Sequence, residues 1–487
     1  MDIKVQLLLL VLVLCGVAVL VQFSAKSALH MIFNADRHSN ASLVDVMRTS
    51  LALLLMFVAS AVVINIGLQR MFGYGNELTT IYFARYLHAI AGADSWGVMV
   101  KALEHLQAFP NESVYDAFIL KDHTKFQYPP SALLIFDLPH RAFGLPYETI
   151  VEYANLISWL CLPLLGIVFY RLIHKSVVTA WHTTSRLFSE SQQHIPAWMQ
   201  ILALLTGIAT VAMFYPLLRS YFLGQIQTFM TLLAGLALLA WQAKRLGTAG
   251  VLLSICCSFK PQWIILIPWA FFRRQWQFLI TFSISSAIIF LASLALYGVE
   301  NWTDYFSVLS FLSKHGESFY PNQSINGIMH RLLFNGNNLE WLSNTFPPYQ
   351  PWVYLTTLLT SILLLAVALL WKFLRQPSAT DLSIMMLSLT IASPIAWEHH
   401  YGIAVLLLAI ILPLSVVYRP LGKWTVLYLW LMYLFISQNF GYFASPLANT
   451  HWNVLQSTLY IGAMMLLWLL YKLSQKQHKP PIANAGR

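Results

Sequence analysis

Apolar runs long enough to cross a bilayer as helices dominate this chain and leave little room for any other kind of fold. A helix rises about 1.5 Å per residue, so the ~30 Å hydrocarbon core needs roughly 17–25 such residues. Runs of about this length fall at residues 5–23, 50–68, 150–170, 197–218, 222–241, 276–297, 352–370, 382–397, 401–418, 424–441 and 454–471. Only 10% of the 487 residues are Asp, Glu, Lys or Arg, against about 25% in soluble domains, which excludes a water-soluble globular protein. Backbone polar groups in lipid must be bonded within their own segment, so the spans are predicted to be helical. The prediction is an all-α, multi-pass protein of about eleven full spans. Between the fifth and sixth, residues 247–272 form two short apolar halves broken at Lys260-Pro261, which predicts a broken or re-entrant hairpin. The first run lacks a small-residue cleavage site and reads as a retained span. Cys15, Cys161, Cys256 and Cys257 lie inside apolar runs, as small buried hydrophobes rather than a disulfide or zinc framework.

The net charge of +10 belongs to loops, since no soluble basic domain is present to hold nucleic acid. With the C-terminus cytoplasmic, 18 of the 29 Lys and Arg fall in short inner segments. Ten lie on the other face, mostly in two long loops at about 69–149 and 298–351. Positive charge inside is what insertion favours, and it predicts an external N-terminus. Carboxylates go the other way, with 14 of 19 in or beside those two loops or at Glu398. Loops this long without low complexity usually carry structure and function. Short helices are predicted at 98–109 and from residue 131, after the double proline.

Charge and polarity inside apolar segments are costly and point to function. Lys260 stands at the hairpin break, suited to an anionic head group; the plain alternative is a lysine that snorkels to the interface. Ser393-Pro394 followed by Trp397-Glu398-His399-His400 brings a carboxylate and two imidazoles to the end of a span. Adjacent helical residues point about 100° apart, so the two histidines suit a phosphate or sugar hydroxyl better than one metal ion. Asn322, Gln323 and Ser324 offer amides and a hydroxyl to sugars, and Arg331 offers a fork for phosphate. Two glycosylation sequons, at Asn301 and Asn322, are weak signals alone. Gly224-Gln225 places an amide at the outer end of a span.

In order along the chain, Phe126-Gln-Tyr128-Pro-Pro130, Gly224-Gln225, Lys260-Pro261 with Arg273-Arg274, Asn322-Gln-Ser324 with Arg331, and Ser393-Pro394 through His400 resemble one family. They look like the polyprenyl-phosphate-mannose-dependent alpha-1,2-mannosyltransferases of the GT-C glycosyltransferase superfamily. The resemblance covers residues 50–418, the catalytic core; residues 1–49 add a span and inner loop, and 419–487 add spans and a basic tail. It implies transfer of a sugar, mannose or a related one, from a polyprenyl-phosphate carrier to a glycan or glycolipid acceptor. The reaction would take place at the outer face of the inner or plasma membrane, towards the periplasm or exterior. Such enzymes carry a catalytic Asp just after the first core span. Glu77 stands at the matching place, with Asp94 and Asp116 as fallbacks. By the same resemblance Lys260, Arg331, His399 and His400 bind the donor phosphate. Tyr82, Arg85, Tyr128, Gln225, Asn322, Gln323, Ser324, Trp397 and Glu398 bind sugar or acceptor. No cofactor or metal site is implied, and a divalent metal stays open. The rival readings are a flippase for lipid-linked saccharides and a ligase using a diphosphate-linked donor.

Overall fold

The computed structural model describes residues 42–72, 78–121, 125–184, 194–372 and 375–477. The predicted run at 5–23 and the candidate base Glu77 lie outside these residues. The described chain is helical, apart from an isolated bridge between Asn322 and Trp397. Its α-helices are α1 (Leu43–Phe72), α2 (Thr79–Leu87), α3 (Asp94–Ala108), α4 (Leu134–Phe143), α5 (Tyr147–Thr184) and α6 (Ala197–Ala212). Next come α7 (Tyr215–Leu223), α8 (Gln227–Gln242), α9 (Leu246–Phe259), α10 (Leu266–Phe272), α11 (Trp276–His315) and α12 (Ile325–Leu332). The last are α13 (Pro351–Leu370), α14 (Ala379–Ile391), α15 (Ala404–Tyr418), α16 (Thr425–Ser437) and α17 (Thr458–Lys476).

Among the described residues five helices are long and apolar enough to cross a membrane: α1, α5, α11, α13, and α15 with the 3-10 turn Glu398–Ile403 ahead of it. The pair α6–α7, bent by 59°, makes a sixth if it is one span. The expected count of about eleven is therefore corrected. Hydropathy reads a window, whereas a helix stops wherever its backbone cannot continue. The run 197–218 bends ahead of Pro216, and 222–241 is divided at Gly224, whose φ is +69°. The run 382–397 ends its helix at Ile391, before Pro394. Helices α8, α9 and α14 have 16, 14 and 13 residues, roughly 20–24 Å of helix, which is short of the hydrocarbon core.

The expected break at Lys260-Pro261 is present. Proline lacks an N–H and forces its predecessor out of helical geometry, and Lys260 has φ −134° and ψ 93°. From there the chain returns through the 3-10 turn Pro261–Ile265 and α10. The two feet of this hairpin are adjacent: Thr281 Oγ1 near the start of α11 donates to Gly247 O at 3.1 Å. Arg273 fastens the returning foot by donating to the carbonyls of Ala368, Leu369 and Trp371, the unpaired end of α13.

Helix α15 is apolar all round and buried from Ala404 to Val416, wrapped by α1, α5, α14 and α17. Helices α11 and α13 instead expose Ile280, Ile284, Ile288, Leu291, Leu359 and Leu363. An apolar surface of that extent is the signature of a lipid-facing wall. The polar groups gather at the other end of the bundle from Arg273, where the long connections fold over the helices.

Candidate functional site

Two backbone segments cross where the first long connection meets the α7–α8 junction. Gly92 N donates to Phe222 O at 2.8 Å and Ser95 N to Gly224 O at 3.1 Å. The approach is so close that a Cβ on Gly224 would lie 2.2 Å from Gly92 O, and the left-handed φ already favours glycine there. This crossing aligns Asp94 and Ser95, the first residues of α3, with Gln225. Gln225 Nε2 donates to Asp94 Oδ2, and Gln225 Oε1 accepts from Ser95 Oγ at 2.8 Å and Tyr128 OH at 3.2 Å. Ser95 Oγ also accepts from Ile226 N at 3.0 Å, so Phe126–Pro130, α3 and α8 share one hydrogen-bonded knot.

Asp94 is exposed, yet desolvation by the surrounding protein raises its pKa above the ordinary carboxylate value, against the Gln225 bond and Arg219, which lower it. Arg219 of α7 is the cation within electrostatic reach of this carboxylate: it donates to Tyr82 OH, and its guanidinium lies 5.4 Å from the Tyr82 ring. Arg85 stacks 4.4 Å over Phe222. Arg219 and Lys260 both lie within electrostatic reach of His399, and Lys260 within reach of His400. Lys260 has no ion pair among the described residues. It lines a cavity of about 10 Å³ with Gln227, Thr231, Gln262, Thr390 and His400, room for about one water. The His399 and His400 rings stand perpendicular, 4.7 Å apart. Among the described residues no three His, Cys, Asp or Glu side chains gather as metal ligands.

The other predicted residues build a clasp that runs into His399. Asn322 Nδ2 donates to Glu317 O and Pro394 O, and its Oδ1 accepts from Ala396 N at 2.9 Å. Gln323 N donates to Ala396 O at 2.8 Å, and Glu398 N to Pro321 O at 3.0 Å. Ser324 caps α12 and donates to Pro394 O at 2.8 Å. Gln323 Nε2 bonds the carbonyls of Tyr320 and Gln456. Arg331 is buried, with donors directed to Asn322 O at 3.1 Å and Ser457 Oγ at 2.6 Å. Glu398 accepts from Tyr215 OH at 2.7 Å, and Trp397 packs against Trp341. The sequon asparagines are both structural: Asn301 donates to Tyr297 O and accepts from Val114 N. A buried ion pair, Lys125 to Glu317 at 2.7 Å, ties the two long connections together under Trp341 and Phe346.

The structure thus places Tyr82 and Arg85 beside Arg219 and Phe222, Asp94, Gln225 and Tyr128 in the knot, and Lys260 with His400 on one small cavity next to His399, whereas Asn322, Gln323, Ser324 and Arg331 bond into the clasp. Asp116 is exposed in a π-helical turn. Sequence reasoning passed over Arg219; the signal was a lone charge directly after the apolar run 197–218. It also passed over Lys125, one residue ahead of Phe126-Gln-Tyr-Pro-Pro.

Helices with lipid-facing walls, folded under long polar connections, define an integral-membrane protein, and the family comparison gives its class as a membrane glycosyltransferase. The family model of glycosyltransferase family 87 matches residues 126–394. That is more than half of the chain, and the protein belongs to this GT-C-type family. The match begins at Phe126 and ends at Pro394, enclosing the α7–α8 junction, the Lys260 hairpin and the 317–331 side of the clasp. No curated protein matches the chain.

Proposed function

We propose that the protein moves a sugar, mannose or a related hexose, from a polyprenyl-phosphate carrier to a glycan or glycolipid acceptor at the outer face of the inner or plasma membrane. The observation that carries this reading is the placing of Lys260 and His400 on one small cavity beside His399, with Arg219 and the Asp94 carboxylate within electrostatic reach of this group. A cation without an ion pair in an apolar body suits a phosphate that arrives with the substrate. In the reaction the acceptor hydroxyl oxygen bonds to the anomeric carbon and its proton passes to a carboxylate. The bond from that carbon to the phosphate oxygen breaks, and the cations stabilise the departing polyprenyl phosphate. One displacement inverts the anomeric centre. The donor contacts fall to Lys260, Arg219 and the histidines, the sugar contacts to Tyr82, Arg85, Tyr128, Gln225 and Trp397. Arg331, Asn322, Gln323, Ser324 and Glu398 act by holding the clasp.

Glu77 is the base by its place after the first core span. Its neighbour two residues on is pinned, since Thr79 N donates to Asn65 Oδ1 and Thr79 Oγ1 to Gln438 Oε1. Asp94 is the second reading, favoured by its bond to Gln225 and by Arg219 within electrostatic reach.

Purified protein in lipid nanodiscs, given a labelled polyprenyl-phosphate sugar and extracted envelope glycolipids, is expected to release polyprenyl phosphate and label the acceptor. Labelling only from a diphosphate-linked donor would make it a ligase. Movement of the lipid across proteoliposomes without transfer would make it a transporter.

A further inference from the structure

Beside Arg331 of the clasp, a cavity of about 350 Å³ opens between the segment after α12 and the connection ahead of α17. Its volume falls in the roughly 300–1,000 Å³ range of small-ligand sites. The walls include Arg331, Phe334, Asn337, Asn338, Glu340 and Asn449. We propose that this cavity is a saccharide subsite that holds a neutral sugar residue of the acceptor glycan, away from the reacting end. The proposal rests on the glycosyltransferase reading above and deepens it.

The chemistry of the walls selects the ligand. The two charged residues, Arg331 and Glu340, are of opposite sign. Arg331 has already given its Nη atoms to Asn322 and Ser457. A phosphate would meet the Glu340 carboxylate and find no free fork. A sugar hydroxyl donates and accepts at once, and the walls supply both functions. Asn449 presents an exposed amide, a donor and an acceptor together, and Glu340 an exposed carboxylate acceptor; Asn338 is oriented by its bond to Ala448 O at 3.2 Å. Phe334 is 51% exposed, and it is held at a positive φ of 53° by Phe334 N donating to Arg331 O. His451 meets this ring edge-to-face at 5.2 Å, and its exposed part suits the C–H face of a pyranose.

The test uses the full chain in nanodiscs, with saturation-transfer NMR on methyl mannoside and a neutral manno-oligosaccharide, and glucuronate and inorganic phosphate as charged comparisons. Asn449→Trp fills the cavity from an exposed position. Phe334→Gly removes the ring at a φ that glycine adopts freely. The neutral sugars are expected to bind the wild type. Each variant should lose about tenfold in affinity, as the ring contact or the space for the sugar is removed, with the thermal midpoint retained. In turnover the acceptor KM should rise while the donor KM stays. Absence of binding to wild type, binding undiminished in both variants, or stronger binding of the anions would overturn the subsite. If no polyprenyl-phosphate sugar is transferred while sugar binding still depends on Asn449 and Phe334, the transfer reading fails and the subsite stands. If transfer proceeds with both KM values and sugar binding indifferent to the variants, the subsite fails and the transfer reading stands.

Discussion

Replacing Lys260 by methionine separates a substrate-binding cation from a structural one. Methionine keeps the length of the apolar stem and deletes the charge. Because the ammonium has no ion pair among the described residues, its loss strands no buried carboxylate. Removing one partner of a buried pair costs about 3–5 kcal/mol, and no such penalty applies here. The thermal midpoint of Lys260→Met is therefore expected to hold or rise. Catalysis should behave in the opposite way. A unit charge about 4 Å from a phosphate oxygen contributes about 4 kcal/mol at an effective dielectric near 20. Complete loss would lower kcat/KM roughly 10³-fold, and sharing with Arg219 and His400 brings the expectation to about 10². The assay is initial-rate transfer from a labelled polyprenyl-phosphate sugar, with a thermal shift in the same lipid. Wild-type turnover and donor affinity in Lys260→Met would refute the donor contact and leave a lysine that snorkels to the surface. A collapsed midpoint would refute the premise that the charge is unpaired.

Glu77→Gln should slow turnover about 10²–10⁴-fold with the fold retained, as expected for a lost general base. Asp94→Asn keeps an acceptor for Gln225 and should then cost only the dipole term of α3, about 0.3–1 kcal/mol. If the two results are reversed, Asp94 is the base. In that case its raised pKa requires activity to fall, as pH is lowered, at a higher pH than for an ordinary carboxylate. Arg331→Lys should lower thermal stability, since each charged hydrogen bond to Asn322 O and Ser457 Oγ is worth roughly 1.5–3 kcal/mol; the midpoint and donor KM separate this from a phosphate role. Gly224→Ala should reduce turnover without touching a charged group, because its Cβ would meet Gly92 O at 2.2 Å and displace Asp94 and Gln225; an active variant would show that the crossing does not position them. A cysteine at exposed Asn449, in a background without the native thiols, should react in intact cells, and labelling only after lysis would reverse the proposed sidedness.

What could be read from the sequence divides along the range of the interactions. Helix and hairpin breaks are local: Lys260-Pro261, the double proline ahead of α4, and the long helices α1, α5, α11, α13 and α15 were all visible in neighbouring residues. The span count went wrong at Pro216, Gly224 and Pro394, where a continuous hydropathy window covers a discontinuous backbone. The site motifs were visible as residue types, but their partners were not. Asn322 looks the same in sequence whether its amide meets a sugar or Pro394, 72 positions away. Arg219 went unnoticed because nothing nearby in the chain announces Tyr82 or Asp94 as its neighbours.

The two sequons have a practical consequence for anyone producing the protein. Asn301 and Asn322 are buried and bonded to backbone on both sides of the amide. A eukaryotic secretory host modifies such sequences while the polypeptide is still emerging. A glycan attached to Asn322 at that moment could not later be buried between Glu317, Pro394 and Ala396, so the modified product would be misassembled material rather than a harmless glycoform. Engineering the motif away offers little relief, because Ser324 is also the cap of α12. A bacterial expression host that leaves such sequons unmodified is the sound choice, and a glycosylated preparation should be discarded rather than trimmed.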